Sequence, residues 1–438
     1  MEWYWALTLM LGGAVLLLLL GLPVAFAFLG INFVGALVFL GGEAGLIQLA
    51  RNTNDAVTSY SLAPIFMFVL MGEILFHTGV AFTAIEAVDR LISRVPGRLS
   101  LVAIVGGTIF STLSGSTVAN TALLGSTLMP EMHRRGYHPS IAMGPIMATG
   151  GIAMLIPPSS LAVLLGSLAG IPIGALLIAG IVPGLMMAVL FFLYVIIRCL
   201  LNENLAPRYA LQTLTLKDKL LPFAIYVMPL FLLFVAVVGG MLAGITTPTE
   251  SAAVGALGGF VAAACYRRLT LGNFRHTMLE TAKITISILF IIANSLTFSQ
   301  ILAFSGATNG MLGLVSGLAS DPLLLVLCMM AILLFLGCFL DQLSMLMITL
   351  PFFMPLAQEA QFDLVWYGVL LLLSMEISLI TPPFGLILFC MKGVAPPGTS
   401  VLQIYRAVIP FFLLEMLVLV FVIFIPQMAT VLPGLLER

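Results

Sequence analysis

Charged residues are scarce in this sequence. Asp, Glu, Lys and Arg make up 8% of its 438 residues, and the formal net charge is −1. A chain without a surplus of basic residues lacks the positive surface that nucleic-acid phosphates require, which disfavours nucleic-acid partners. With 61% hydrophobic residues and a mean hydropathy of +1.19, the composition predicts an all-α polytopic membrane protein.

Cysteine and histidine are also few, and neither forms a cluster. The five cysteines stand singly in apolar runs without a CxxC pair, which is typical of small packing residues. The four histidines fall in or beside basic segments or at a helix end. With no histidine at membrane depth to act as a base for Ser114 or Ser116, an intramembrane serine hydrolase is disfavoured. A channel is disfavoured too, because no predicted helix carries a continuous polar stripe.

Glycine and proline are plentiful by contrast, with 41 and 24 residues. Four prolines recur in the second half at one constant spacing: Pro23 as Pro248, Pro130 as Pro355, Pro157 as Pro382 and Pro158 as Pro383. Four matches at one spacing predict two structural repeats. Each repeat contains five predicted crossings, and an odd number inverts the second repeat relative to the first.

Two segments in each repeat interrupt the membrane helices. Short apolar runs flank the polar cluster at residues 114–120, and each is shorter than the roughly 20 residues that cross a membrane. They predict a re-entrant hairpin with residues 114–120 at its tip. Prolines preceded by glycines predict a helix broken near residues 150–158. The second repeat has the same pair, a hairpin over 322–356 with its tip at 337–341 and a broken helix over 365–395.

These segments divide the chain into six predicted parts. The hairpins and broken helices are distinguished from the other helices, which we call the scaffold. Residues 1–97 are scaffold and arm helices, 98–170 a hairpin and broken helix, 171–220 a scaffold helix and cytoplasmic linker, 221–320 scaffold and arm helices, 321–398 a hairpin and broken helix, and 399–438 a final scaffold helix. Residues 43–59 fit either an interfacial helix or a polar loop.

The distribution of basic residues predicts the orientation. With the N-terminus outside, the predicted inner loops hold all of the 17 basic residues except Arg51 and Arg438. Both termini are therefore predicted to be external. Glu2 and the absence of basic residues before the first apolar run predict a retained first helix rather than a signal peptide.

Oxygen-bearing residues gather at the predicted tips and breaks. Freed backbone carbonyls and hydroxyls can replace the water shell of a hard cation such as Na+, and half-helix N-termini can hold anionic groups. The predicted Na+ ligands are Ser114, Gly115, Ser116, Asn120, Gly150, Gly151 and Pro157 in the first repeat and Gly337, Asp341, Ser378 and Thr381 in the second. The predicted solute contacts are Ser114, Ser116, Asn120, Pro158, Ser159, Glu376, Thr381, Pro382 and Pro383.

Simpler structural explanations exist for most of these features. The Ser-Gly-Ser run also fits a close approach of two helices, and the proline pairs also fit plain kinks. Glu376 lies in an apolar stretch, where charge is costly, so a functional role is favoured. Glu73 fits either a site or a pairing role between helices. Glu250, which follows Thr247 and Pro248, is predicted to cap the helix that begins there.

Seven motifs resemble those of the large membrane subunit of tripartite ATP-independent periplasmic (TRAP) transporters, the DctM type. They lie at residues 21–26 (GLPVAF), 114–120 (SGSTVAN), 135–137 (RGY), 156–159 (IPPS), 179–184 (AGIVPG), 247–250 (TPTE) and 381–385 (TPPFG). Thr117 stands where the family commonly has serine and keeps a hydroxyl. No Arg or Lys is predicted at mid-membrane depth near either tip.

The resemblance implies Na+-coupled uptake of a small solute, usually a carboxylate, across a bacterial inner membrane, which places both external termini in the periplasm. It also implies an elevator motion, in which a transport domain made of the two hairpins and two broken helices slides against a scaffold of the remaining helices. No cofactor is implied besides Na+ as the coupling ion. The implied partners are a small four-helix membrane subunit, separate from this chain, and a soluble periplasmic receptor that delivers the solute. A dicarboxylate or anion:Na+ symporter of the same superfamily that works without a receptor is the alternative.

Overall fold

The computed structural model describes residues 2–92, 95–207, 215–315 and 321–435, apart from the side chains of residues 112–114, 216 and 314–315. The described chain is helical and contains no strand. The α-helices of the first half are α1 (Trp3–Leu7), α2 (Gly13–Leu19), α3 (Val24–Phe39), α4 (Glu43–Thr58), α5 (Ala63–His77), α6 (Val80–Leu91), α7 (Arg98–Ser114), α8 (Thr117–Arg134), α9 (Pro139–Leu155), α10 (Ser160–Ala169), α11 (Ile173–Ala179) and α12 (Ile181–Leu201).

The second half contains eleven described α-helices. They are α13 (Leu216–Pro222), α14 (Met228–Leu242), α15 (Pro248–Cys265), α16 (Leu271–Phe304), α17 (Ala307–Val315), α18 (Pro322–Gly337), α19 (Gln342–Glu359), α20 (Leu364–Leu379), α21 (Leu386–Val394), α22 (Val401–Phe424) and α23 (Gln427–Thr430). Both predicted hairpins and both predicted broken helices are present, as α7–α8 and α18–α19 and as α9–α10 and α20–α21.

The helices confirm the repeat that the prolines predict. Both ends of α19 follow the ends of α8 at the spacing of the prolines, and the start of α20 follows the start of α9 at the same spacing. One element differs, because α16 is a single helix of 34 residues where the first repeat has α4 and α5. Pro64 in the first turn of α5 ends the helical run in the first repeat. The matching residue in α16 is Leu289, so the helix continues.

Five helical segments of the described chain are long and apolar enough to cross a membrane. They are Tyr60–His77, Ile173–Leu201, Lys217–Leu242, Leu271–Phe304 and Val401–Phe424. The pair α9–α10 is a sixth candidate, bent by 44° at its break. The first arms of the hairpins, α7 and α18, have 17 and 16 residues. They fall short of the roughly 20 residues of a full crossing, as re-entrant arms do.

The helices pack in two groups. In one, which we call the hairpin group, α9 contacts α7, α8, α12, α20 and α22, while α18 and α19 pack on α20 and α21 packs on α8. In the other, the α16 group, α16 contacts α3, α4 and α5, and α15 contacts α5 and α14. Helices α12 and α22, which the sequence assigns to the scaffold, pack on α9. Helices α7 and α10 contact α5 and so join the two groups.

Buried amides hold the α16 group together. Asn32 Nδ2 donates to the Asn294 carbonyl oxygen at 2.7 Å, and Asn52 Nδ2 donates to Thr297 Oγ1 at 3.0 Å and to Gln300 Oε1 at 2.8 Å. In an apolar surrounding a buried amide must be paired. These bonds therefore fix the register of α3 and α4 against α16. Residues 43–58 form a helix, so of the two alternatives for this segment the loop is wrong.

A capping box opens α15. Thr247 Oγ1 accepts from the Glu250 amide at 3.3 Å, and Glu250 Oε2 accepts from the Thr247 amide at 2.7 Å. Glu250 thus caps this helix. We expect Thr247→Ala to lower the free energy of unfolding by about 1 kcal/mol because one orphan amide loses its acceptor. Thermal unfolding in detergent measures this. Thr247→Ser keeps the hydroxyl and should match the wild type; equal stability of Thr247→Ala and the wild type would contradict the cap.

Candidate solute and cation site

The first hairpin tip lies against the first helix break. Gly115, with a φ of 60°, ends α7, and Ser116 caps α8 by accepting from the Ala119 amide at 3.3 Å. A Cβ on Gly115 would lie 3.4 Å from the Pro158 carbonyl oxygen. The left-handed φ favours glycine here. The side chain of Ser114 lies outside the described residues.

Asn120 anchors this tip to its own hairpin and to the broken helix. Its Nδ2 donates to Ser111 Oγ at 2.6 Å, and Ser111 Oγ donates to the Thr149 carbonyl oxygen at 2.7 Å. Asn120 is fully buried, and its Oδ1 has no hydrogen-bond partner within the described chain. A buried amide oxygen left unpaired is costly, and it is the kind of ligand that Na+ accepts.

Two glycines let other helices approach α9. A Cβ on Gly150 would lie 2.8 Å from Thr117 Cγ2 and 3.1 Å from the Thr117 carbonyl oxygen. A Cβ on Gly151 would lie 2.7 Å from Glu376 Cγ. Pro157 and Ser159 are buried beside them, and Ser159 caps α10. The structure therefore brings together the predicted residues of the first repeat whose side chains it describes.

The second tip repeats the first with a carboxylate in place of a hydroxyl. Asp341 caps α19, as Ser116 caps α8: its Oδ2 accepts from the amides of Leu343 at 3.0 Å and Ser344 at 3.3 Å. The Ser344 hydroxyl donates to the other carboxylate oxygen. Asp341 therefore fixes the helix start and also places a negative charge at the tip.

This second tip also lies against its helix break. Gly337 packs on the side chain of Ser378, and Cys338 Sγ donates to the Pro382 carbonyl oxygen at 3.5 Å. Thr381 Oγ1 donates to the Ile377 carbonyl oxygen at 2.7 Å. Gly337, Ser378 and Thr381 are thus close together in space.

Gly337→Ala should separate the second tip from its break. A Cβ here would overlap the Ser378 side chain, and overpacking of this kind costs about 1–3 kcal/mol. We expect a lower midpoint of thermal unfolding and a loss of uptake. Gly393→Ala is the matched control, because a Cβ at Gly393 in α21 meets nothing within 4 Å. Equal losses in the two variants would contradict tight packing at the tip.

A cavity of about 340 Å³ lies between the two tips and the α16 group. The first tip contributes Gly115 and Ser116, the second Asp341, and α5 contributes Glu73 from the opposite side. Ser116 is the only predicted solute contact with a described side chain that lines it. The remaining predicted contacts do not line the cavity. Asn120, Pro158, Ser159 and Glu376 are buried, and the others lie at the second helix break: Thr381, Pro382 and Pro383.

Four further polar residues line the cavity: Glu73, Thr117, Ser160 and Gln342. Thr117, Ser160 and Gln342 directly follow Ser116, Ser159 and Asp341 in the sequence. Their position next to these predicted residues, in the first turn of a helix, could have identified them. Glu73 Oε2 lies 2.8 Å from Nε2 of His77 on the same helix. No Lys or Arg is found among the described residues that line the cavity. An anionic group would therefore be held by hydroxyls, amides and helix N-termini.

The sequence of the whole chain agrees with this architecture. The family model of the DctM component of tripartite ATP-independent periplasmic transporters matches residues 11–428. The chain belongs to this family. A TRAP large permease of this family is a multi-pass inner-membrane transporter subunit and not an enzyme.

Curated TRAP large permeases are similar over nearly their full length. The C4-dicarboxylate permease of Pseudomonas aeruginosa is 32% identical, over 91% of this chain and 92% of its own. The 2,3-diketo-L-gulonate permease of Escherichia coli is also 32% identical, over 96% of both chains. The ectoine/5-hydroxyectoine permease of Ruegeria pomeroyi is 30% identical, over 96% of this chain and 97% of its own.

Two solved structures share the fold. Neisseria gonorrhoeae MtrF, from a class of antimetabolite efflux pumps, aligns with a TM-score of 0.60 at 14% identity, over 87% of this chain and 84% of its own. The Alcanivorax borkumensis YdaH transporter aligns with a TM-score of 0.57 at 14% identity, over 90% and 89%. They confirm the predicted fold class of an all-helical membrane protein with two inverted repeats, each holding a hairpin and a broken helix.

Proposed function

We propose that this permease takes up a small organic solute into the cell together with Na+. One observation carries the proposal. The two hairpin tips occupy equivalent positions, and in each the second helix begins with a capping residue that carries a side-chain oxygen, Ser116 or Asp341. The tips meet the two broken helices beside one cavity. This is the arrangement in which secondary transporters hold coupling ions and solute near the membrane midplane.

Na+ is the proposed cation at both tips. In the first repeat its proposed ligands are the buried, unpaired Oδ1 of Asn120 and the oxygens of Ser116, Gly150 and Pro157. In the second, they are the Asp341 carboxylate and the oxygens of Ser378 and Thr381. Oxygen ligands suit a hard cation. Each Na+ that enters contributes about 2.3 kcal/mol per 100 mV of membrane potential.

The solute is proposed to be a small carboxylate, in keeping with two of the relatives. Ser116, Ser160 and the first backbone amides of α8 would hold its anionic groups, since the described lining offers no Lys or Arg and the Leu343 and Ser344 amides of α19 already donate to Asp341. The ectoine permease shows that the family's solutes also include other small organic molecules.

We propose that transport follows an elevator motion and that both termini lie on the periplasmic side. The hairpin group, with α12 and α22 included because both pack on α9, would move against the α16 group. A small four-helix membrane subunit and a periplasmic receptor that delivers the solute are the proposed partners. The outward apolar side chains of α14 and α15, such as Phe231, Leu232 and Leu257, fit contact with lipid or with the small subunit.

Uptake into proteoliposomes tests this function. The vesicles contain this chain and its small subunit, and the outside contains a periplasmic receptor loaded with labelled succinate, 2,3-diketogulonate or ectoine. We expect uptake that needs the receptor and an inward Na+ gradient, and that K+ does not support. Uptake that is equal without the receptor or without Na+ would contradict the proposal.

A further inference from the structure

A second cavity, which we call the outer cavity, lies between α10 and α19 on one side and α16 and α17 on the other. Its volume is about 470 Å³. Its polar lining residues are Ser167 on α10, Ser295 and Ser299 on α16, Thr308 on α17 and Gln358 on α19. No Asp, Glu, His, Lys or Arg is found among the described residues that line it. The outer cavity is therefore polar but uncharged.

These five polar side chains have no hydrogen-bond partner within the described chain. Ser295 and Thr308 are only 3% and 8% exposed, and the hydroxyl oxygen of Ser167 is buried. Buried hydroxyls are normally hydrogen-bonded, because an unpaired one costs free energy. The outer cavity thus offers unpaired hydrogen-bonding groups from four helices to a molecule that enters it.

The outer cavity and the cavity between the tips lie along the same helix faces. On α16, Ile288 lines the cavity between the tips, and Ser295, seven residues further, lines the outer cavity. Two more pairs have this spacing, Leu343 and Leu350 on α19 and Leu161 and Leu168 on α10. Residues seven apart lie on one face of an α-helix, and seven residues span roughly 10 Å. The two cavities are therefore two parts of one groove between the same helices.

Apolar residues separate the two parts of this groove. Ile291 on α16 lies one turn from both Ile288 and Ser295, and Met347 on α19 lies one turn from the lining residues of both cavities. Both side chains are buried. A molecule in the outer cavity therefore reaches the tips only after these helices have moved relative to each other.

The outer cavity lies on the same side of the molecule as both chain termini. Gly170, after the end of α10, and Gln358, in the last turn of α19, are exposed residues of its lining. Beside them α1 packs on α17, and α23 packs on α11, which begins shortly after Gly170. The proposed orientation places the termini in the periplasm. On that orientation the outer cavity faces the compartment from which the receptor delivers the solute.

We propose that the outer cavity is an entry site, which binds the solute through uncharged polar groups before the solute passes to the cavity between the tips. Serine and threonine hydroxyls and the glutamine amide both donate and accept hydrogen bonds, so they suit the hydroxyl, keto and amide-like groups of a small organic solute. Without a basic side chain in the described lining, a carboxylate is held weakly and can move on. The entry site deepens the proposed function and rests on it.

Protection of an introduced thiol tests binding in the outer cavity. The chain carries Ser299→Cys with its native cysteines replaced by alanine, and is placed with its small subunit in lipid nanodiscs without Na+. The probe is whichever of succinate, 2,3-diketogulonate and ectoine the wild type takes up. We expect a charged thiol reagent to modify the introduced thiol and the probe to slow the reaction. Asn309→Cys is the control, because Asn309 is exposed beside Thr308 and does not line the cavity. A thiol at residue 299 that never reacts, or that reacts equally fast with the probe, would overturn the entry site.

Uptake kinetics test the site with a smaller change. We expect Ser299→Ala to raise the concentration of loaded receptor at half-maximal uptake about fivefold, as the loss of one hydrogen bond does. The Na+ concentration for half-maximal uptake should stay at the wild-type value, since the tips are unchanged. Ser287→Ala, at an exposed position of α16 that lines neither cavity, is the control and should match the wild type in both quantities.

The outcomes separate the entry site from the proposed function. Na+-driven uptake that Ser299→Ala leaves unchanged would overturn the entry site while the proposed function stands. A wild type without receptor-dependent, Na+-driven uptake would overturn the proposed function and the entry site with it.

Discussion

Asp341→Asn is expected to raise the Na+ concentration for half-maximal uptake about tenfold or more, with little change in stability. Asparagine is as good a helix cap as aspartate, so α19 still begins at the same residue. The negative charge at the tip is lost, and a loss of about 1.4 kcal/mol in cation binding corresponds to tenfold in affinity. Asp341→Ala removes the cap as well and should lower the free energy of unfolding by about 1 kcal/mol in addition.

Asp363→Asn is the matched control for this experiment. Asp363 caps α20 in the same manner, accepting from the amides of Val365 at 2.8 Å and Trp366 at 3.0 Å, but at the end of α20 opposite its break. We expect its Na+ dependence to equal that of the wild type. If Asp341→Asn also left the Na+ dependence unchanged, Asp341 would be a helix cap only and the second cation site would be wrong.

Asn120→Leu is expected to abolish Na+-dependent uptake. The substitution keeps the volume but removes the unpaired Oδ1 and leaves Ser111 Oγ without its donor. A lost buried hydrogen bond costs about 1–3 kcal/mol. Part of the loss is therefore stability, measured by thermal unfolding, and the rest is the affinity for Na+, measured from the Na+ dependence of the initial uptake rate.

Asn32→Leu separates the two effects. Asn32 is a second fully buried amide with one donated hydrogen bond and an unpaired Oδ1, but it lies on α3 and bonds to α16. Its substitution should lower stability to a similar degree and leave the Na+ dependence as it was. Equal effects of both substitutions on Na+ dependence would show that the first tip has no special role.

The positions of the prolines predict much of the fold. Because Pro157 and Pro158 interrupt a helix in one half, their matches at one spacing predict where the other half is interrupted. Pro130 and Pro355 lie inside α8 and α19, and both ends of these two helices agree at the same spacing. The uninterrupted α16 was harder to predict, since it depends on a leucine in the place of Pro64. The packing of α12 and α22 on α9 could not be predicted, because it is a tertiary contact and the hydropathy of a single helix does not indicate which helices surround it.

The site was predictable in part for the same reason. Local motifs marked Ser116 and Asp341, and the structure shows that both open a half-helix at the cavity. Glu73 lines the cavity from α5, which is far from both hairpin tips in the sequence. Its local sequence therefore did not decide between a site role and a pairing role between helices.

Entry of labelled Na+ into proteoliposomes during solute uptake tests the central claim most directly. The membrane potential is clamped, the receptor and solute are added outside, and Na+ and solute are counted in the same vesicles. We predict that adding loaded receptor increases Na+ entry in the wild type and not in Asn120→Leu or Asp341→Asn. Solute that accumulates in the wild type without accompanying Na+ would contradict cation sites at the two hairpin tips.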